Sequence, residues 1–317
     1  VGDCGNNIIS DLKRFGIPYA ELIAVNTDVV KLQHTLADRK ILLGKDITKG
    51  FGVGANMELA KQIAMQELDK LEQVIEGADM VFFVGGLGKG TASGTIPVFG
   101  EAAKKMGALS VAIVTLPSRI EGGGTKKRAQ KAVKEIIEKM DAAILIENDR
   151  VSELFGRLPV MEAFKKTNEI IATAIADLNK LMFEYSLVNL DYADVSAILR
   201  DAGLSTMSVA EGTKHNVREI GERLLNYPLI SERIESASRL LLHFTVGEGI
   251  SIRDLTEVQE VVYSRIDPNA NMKYGIRVEP KLDSNKIRAF AIFGSIKTEK
   301  MEKRNPSKGV DLGIPRL

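Results

Sequence analysis

The ten residues GGLGKGTASG (Gly85–Gly94) place five glycines between the apolar runs VFFV (81–84) and SVAIVTL (110–116). Glycine tolerates positive φ and lets a ligand approach the backbone closely. A glycine loop that leaves a buried strand and enters a helix offers several free N–H groups, which suit a phosphate chain. The expected chemistry is nucleotide binding. Two common templates fail here. A Walker loop needs Gly-Lys followed by Ser or Thr, and Lys89 is followed by Gly90. The dinucleotide fingerprint needs a glycine where Thr91 stands, which also removes a nicotinamide-dependent dehydrogenase from the reading. The following helix is expected to begin near Thr95–Pro97, since proline suits a first turn.

A second candidate is the acid pair Asp191 and Asp194 in NLDYADV (189–195). If this segment opens a helix, carboxylates three apart share a face. Aspartates at a helix start also cap it and complement its dipole, and for an arbitrary pair that is the commoner role. The histidines, His34, His215 and His243, have no partner at zinc-ligand spacing. The single cysteine, Cys4, excludes an intrachain disulfide and reads as a small packing residue.

The elements that must position these groups alternate. Strand-like runs at 22–26, 80–84, 110–116 and 142–147 are separated by helical segments near 56–76, 97–106 and 126–140. In the last of these, Ala129, Ala132, Val133, Ile136, Ile137 and Met140 recur at spacings of three and four, so one face is apolar. The alternation predicts a parallel sheet covered on both faces, with its loops clustered at one edge. A long helix is expected over 161–183. After Leu187 the runs 239–247, 272–279 and 287–294 read as strands and 251–265 as a helix, a second and smaller α/β domain. At 317 residues the chain is long enough for both. With 43 Lys+Arg against 42 Asp+Glu, no global basic field points to nucleic acid. No apolar run approaches the roughly 20 residues that span a bilayer, so direct membrane insertion is not expected. Residues 298–309 are polar and read as a linker, ending in VDLGIPRL (310–317).

Seven segments, in order, resemble the tubulin/FtsZ superfamily, with prokaryotic FtsZ nearest. They are VGDCGNN (1–7), AVNTD (24–28), GFGVGANMELA (50–60), GKGTASG (88–94), VTLPSRIEGG (114–123), ENDR (147–150) and NLDYADV (189–195). The last differs little from the family's NLDFADV. The resemblance implies an α/β fold with a GTP-binding domain over 1–160, a central helix over 161–186 and a GTPase-activating domain over 187–297. A linker and docking peptide over 298–317 would follow, the peptide 310–317 engaging a membrane-tethering adaptor. It also implies a cytoplasmic, head-to-tail homopolymer acting at the division site, with GTP/GDP and Mg²⁺ as cofactors.

Carried over residue by residue, Gly5, Asn6, Asn7 and the run Gly88, Lys89, Gly90, Thr91, Ala92, Ser93 and Gly94 would surround the phosphates. Ala55 and Asn56 would lie near the γ-phosphate and Glu121 at the ribose. Asn148 and Asn168 would read the guanine edge, Asn168 standing where the family usually has aspartate. Asp191 and Asp194 would act in trans on the nucleotide of the next subunit, with Asn189 as a supporting contact. Three departures bear on activity. Lys89 and Ala92 replace loop glycines, and Gly123 stands where an arginine is common. A non-glycine residue forced to φ > 0 costs on the order of 1 kcal/mol, so Lys89 is expected to be tolerated or useful: either its ammonium partly replaces the lost arginine charge, or it points to solvent or the neighbouring subunit. A phosphate loop ordinarily follows a strand, and Val1 leaves none before Gly2, so that strand is expected upstream of this sequence. The alternative reading is a divergent paralogue that binds nucleotide and assembles with little or no hydrolysis.

Overall fold

The computed structural model describes residues 1–154, 158–184, 186–226, 229–231 and 234–297. The linker and terminal peptide expected over 298–317 lie outside these residues. The chain divides into one compact unit over Val1–Ala176 and a second from Asp177 onward, the division falling within a long helix.

The first unit runs α1 (Gly2–Phe15), β1 (Ile23–Asn26), α2 (Val29–Gln33), β2 (Arg39–Leu42), α3 (Lys45–Thr48), α4 (Met57–Gln66), α5 (Leu68–Ile75), β3 (Met80–Gly86), α6 (Thr91–Lys105), β4 (Leu109–Leu116), α7 (Gly123–Lys139), β5 (Ala142–Glu147), α8 (Asn148–Leu154) and most of α9 (Val160–Phe183). Strands β3, β4 and β5 pair in parallel, and β1 pairs in parallel with β2. Every residue of β4 is buried, as a central parallel strand covered on both faces requires. Helix α7 buries Ala129, Ala132, Val133 and Ile136, the stripe read from its periodicity.

Three local expectations are corrected. The segment read as a first loop is the start of α1, whose opening residues include Asp3, Cys4, Gly5, Asn6 and Asn7. The expected helix over 56–76 is two helices, because Glu67 leaves helical geometry (φ −112°) and its carboxylate accepts the Gly44 N–H at 3.2 Å. Helix α6 begins at Thr91 rather than near Thr95–Pro97. Its first-turn bond, Gly94 N–H to Gly90 C=O at 2.9 Å, forms ahead of Pro97, which then sits inside the helix.

The second unit contains α10 (Tyr192–Leu199), β6 (Gly203–Thr213), α11 (Val217–Asn226), β7 (Arg239–Val246), α12 (Ile252–Tyr263), β8 (Asn271–Val278) and β9 (Lys286–Gly294). Its strands stand in the order β6-β9-β7-β8, with β9 antiparallel to both neighbours and β7 parallel to β8. Among the described residues no helix is long and apolar enough to cross a membrane.

Candidate functional site

The first unit holds a cavity of about 670 Å³ where its loops converge. Its walls are the first turn of α1, the turn after β1, the 51–55 loop, the glycine loop after β3, the end of β4 and one face of α9. The glycine loop is shaped from within. Gly88 takes φ 107°, a conformation that favours glycine, and its N–H donates to Ser93 Oγ at 2.8 Å. Gly90 N–H donates to Gly54 C=O at 2.9 Å, tying this loop to the 51–55 loop. The hydroxyls of Thr27 and Thr91 meet at 2.8 Å, and Arg128 Nε donates to Gly88 C=O at 2.7 Å. The amino end of α6, with its uncommitted N–H groups and positive dipole end, therefore opens onto the cavity.

At the other end of the cavity Cys4 Sγ lies 3.6 Å from Thr115 Oγ1 and 3.8 Å from Asn168 Oδ1. Burial pushes the thiol pKa up, so Cys4 is a neutral packing group. The buried Asn148 Oδ1 has no hydrogen-bond partner among the described residues, although Asn148 lines the cavity. An orphaned amide oxygen there is an acceptor awaiting a donor. Glu121 accepts from Ser118 N–H at 3.0 Å in a capping box.

Eight sequence-predicted residues reach the cavity wall: Asn7, Ala55, Lys89, Thr91, Ala92, Glu121, Asn148 and Asn168. Seven others are not among the wall residues, and each has a packing or hydrogen-bonding role of its own. A Cβ on Gly5 would stand 2.2 Å from Val84 O, and one on Gly94 would stand 2.3 Å from Met57 O, so both glycines permit close packing. Asn6 is buried with both side-chain polar atoms unpartnered among the described residues. Asn56 caps α4 through Leu59 N–H at 3.0 Å. Gly88, Gly90 and Ser93 form the loop's own hydrogen bonds.

The expected strain at Lys89 is absent, because Gly88 makes the turn and Lys89 is not among the residues at positive φ. Nor does the site lack a second cation. Gly123 is exposed with open space around it, whereas Arg128, one turn into α7, lines the cavity. Sequence reasoning missed Arg128. Its signal was the basic run KKR (126–128) behind three glycines.

On the wall two cations, Lys89 and Arg128, face three carboxylates, Asp3, Asp28 and Glu121. Side-chain charge therefore does not by itself favour a polyphosphate. Backbone N–H groups must supply part of the attraction, and the oxygen-only set of acids suits a hard divalent cation shared with phosphates and water. Among the described residues no group of three or more His, Cys, Asp or Glu stands together as a metal site, so a divalent ion would need Asp3 or Asp28 together with phosphate oxygens and water. Asp3 Oδ1 accepts from Asn26 Nδ2 at 3.0 Å, and Asp28 Oδ1 caps α2 through Lys31 N–H at 3.1 Å.

The acid pair belongs to the second unit. Asp191 is the N-cap of α10. Its Oδ1 accepts Asp194 N–H at 2.8 Å, while Asp194 Oδ2 accepts Asp191 N–H at 3.3 Å. Asp194 Oδ1 also meets Lys273 Nζ at 2.7 Å. The Lys273 hydrogen bond, more than any other influence, holds the Asp194 carboxyl below its ordinary pKa. Asn189 Oδ1 accepts Ser186 N–H at 2.8 Å, which shapes the turn leading into the pair.

Comparison with known proteins fits this geometry. Residues 1–156 match the Tubulin/FtsZ family GTPase domain, and residues 203–297 match the FtsZ family C-terminal domain. Cell division protein FtsZ 1 of Pyrococcus furiosus is 34% identical, the alignment covering 100% of this chain and 87% of that protein. FtsZ 1 of Methanocaldococcus jannaschii is also 34% identical, covering 100% and 88%. The chain belongs to the FtsZ family. A solved FtsZ mutant from M. jannaschii superposes with a TM-score of 0.87 at 35% identity, covering 93% of this chain and 89% of that one. CetZ1 of Haloferax volcanii, at 20% identity over 95% and 94% of the two chains and a TM-score of 0.82, shares the fold. This FtsZ is thus a GTP-binding, GTP-hydrolysing cytoskeletal protein of cell division that self-assembles, and the reading as a non-hydrolysing paralogue is not favoured.

Proposed function

We propose that this FtsZ binds GTP in the first-unit cavity and polymerises head to tail, and that Asp191 and Asp194 of one subunit complete hydrolysis on the nucleotide of the next. The observation that carries the in-trans reading is the setting of the acid pair, with Asp191 exposed at the start of α10 and Asp194 ion-paired beside it, while the three carboxylates on the cavity wall each accept a local hydrogen bond. In this reading the amino end of α6, Lys89 and Arg128 hold the phosphates, Glu121 the ribose, and Asn148 with Asn168 the guanine edge. Asp3 and Asp28 would help to hold Mg²⁺, which would offset negative charge on the phosphates. The acid pair orients a water molecule and accepts its proton as the water oxygen bonds to the γ-phosphorus. The bond to the β-phosphate oxygen breaks, and GDP and inorganic phosphate leave.

The same reading places the polymer in the cytoplasm at the division site. The peptide 310–317 would dock a membrane-tethering adaptor through its apolar residues. The GTP-binding domain, central helix, activating domain and tail would divide as 1–160, 161–186, 187–297 and 298–317. Phosphate release from GTP and Mg²⁺ over a range of protein concentrations tests the catalytic part. Turnover per subunit should be near zero when dilute and rise steeply above a threshold. A per-subunit rate independent of concentration would show a complete site in each subunit and end the in-trans reading.

A further inference from the structure

The ion pair between Lys273 and Asp194 has consequences beyond holding β8 to α10. Both oxygens of Asp194 are engaged, Oδ1 by the Lys273 ammonium at 2.7 Å and Oδ2 by Asp191 N–H at 3.3 Å. Asp191 uses only Oδ1, and no hydrogen bond reaches its Oδ2 among the described residues. Two aspartates in one capping box therefore differ. One is fixed and paired with a cation, and the other is exposed with a free oxygen.

Resting on the in-trans reading, we infer that Lys273 is a positioning residue for hydrolysis: it anchors Asp194, offsets one of two negative charges that must approach a triphosphate, and leaves Asp191 Oδ2 as the oxygen that meets the water. Like charges brought together at an interface oppose docking unless something compensates them. An ammonium on the strand beside the acid pair does this without entering the phosphate site. It also fixes the Asp194 side chain, which removes rotational freedom before the partner arrives. The charged groups around Asp194 are few. Lys273 faces it from β8 and Asp191 from the cap, while Arg239 on β7 donates to carbonyls at the far end of α10, including those of Ala197 and Ile198. Lys273 keeps Asp194 ionised further into acid than an unpaired aspartate would be.

The test compares the wild-type chain with Lys273→Met, Lys273→Arg, Asp191→Asn and Asp194→Asn, reading GTP turnover against protein concentration and pH. Lys273→Met keeps side-chain length at a half-buried strand position. It should raise the threshold concentration several-fold and lower turnover above threshold by about tenfold, as loss of charge complementarity and of a fixed geometry would do. The acid limb of the pH profile should move to higher pH, because Asp194 then protonates more readily. Lys273→Arg should restore threshold and acid limb together, which a merely structural strand residue would not require. Unchanged or improved threshold, turnover and acid limb in Lys273→Met, with both aspartate variants inactive, overturns the role of Lys273 and leaves the in-trans reading standing. Aspartate variants that turn over GTP at the wild-type rate overturn that reading and this inference with it.

Discussion

Replacing Gly94 with alanine separates a packing glycine from a phosphate-contacting one. The added Cβ would lie 2.3 Å from Met57 O, 2.7 Å from Ala60 Cβ and 2.8 Å from Lys61 N, against an ordinary contact of 3.4 Å or more. Two of these neighbours are α4 backbone, so no side chain can rotate away. Helices α4 and α6 would have to part by about 1 Å, an overpacking change that costs about 1–3 kcal/mol. For a unit of this size that is a loss of roughly 2–12 °C in melting temperature. The movement also reaches the site, because Asn56 caps α4 and the Gly90–Gly54 hydrogen bond ties the adjoining loop to the glycine loop. The melting gain produced by saturating GDP should therefore shrink as well. Gly123→Ala is the control, since nothing lies within 4 Å of its added Cβ and its φ is ordinary. Differential scanning calorimetry with and without GDP reads both quantities. A Gly94→Ala protein melting within about 1 °C of wild type, or a Gly123→Ala protein falling as far, would refute the packing argument, since strain of this kind should cost more than 1 kcal/mol.

Other outcomes follow from the site and the second unit. Arg128→Ala should weaken binding of a fluorescent GTP analogue by about tenfold and Lys89→Ala by a few-fold, because the guanidinium also holds the glycine loop; the reverse order would reassign the phosphate-side charge. Asn168→Ala should bring GTP and ATP closer in competition binding, losing on the order of tenfold in discrimination; unchanged discrimination would remove Asn168 from base reading. Burial, helped by Arg277, lowers the His243 imidazole from 6.5 to about 3. The unfolded chain therefore takes up a proton between those values that the folded chain does not. Stability present above pH 6.5 is lost as pH falls through that window, by on the order of 5 kcal/mol in full. Denaturant titrations should show this slope flattened in His243→Phe, and an equal slope in both proteins would contradict it.

Much of the fold was legible because long buried elements carry a clean period. The stripe of α7 and the continuous apolar run of β4 each admit one reading. Helix α1 was not legible, because glycine and asparagine in its first turns imitate a loop and only packing against β3 settles their conformation. Strand β6 was also hidden. Its Ser205, Thr206 and Ser208 are fully buried, so the polar residues that usually mark a solvent face do not alternate there. At the site, motif spacing identified the loops but not which of their residues face inward. Gly88 and Ser93 hold the loop and Gly94 packs α6 on α4, while Thr91 and Ala92 from the same run line the cavity. Arg128 escaped because its reach depends on how α7 begins, which three successive glycines leave undetermined in the sequence.

The reciprocal capping box at Asp191 and Asp194 also constrains how this protein can change over generations. An amide oxygen accepts a backbone N–H much as a carboxylate does, so asparagine at either position keeps the helix start while discarding the negative charge. The codon change required is a single base. On the proposed in-trans reading, a gene duplicate with such a change would lose turnover while keeping the start of α10, and selection would meet a persistent scaffold in place of a dynamic one. On the same reading, the substitution would offer the experimenter a filament arrested in its nucleotide-loaded state.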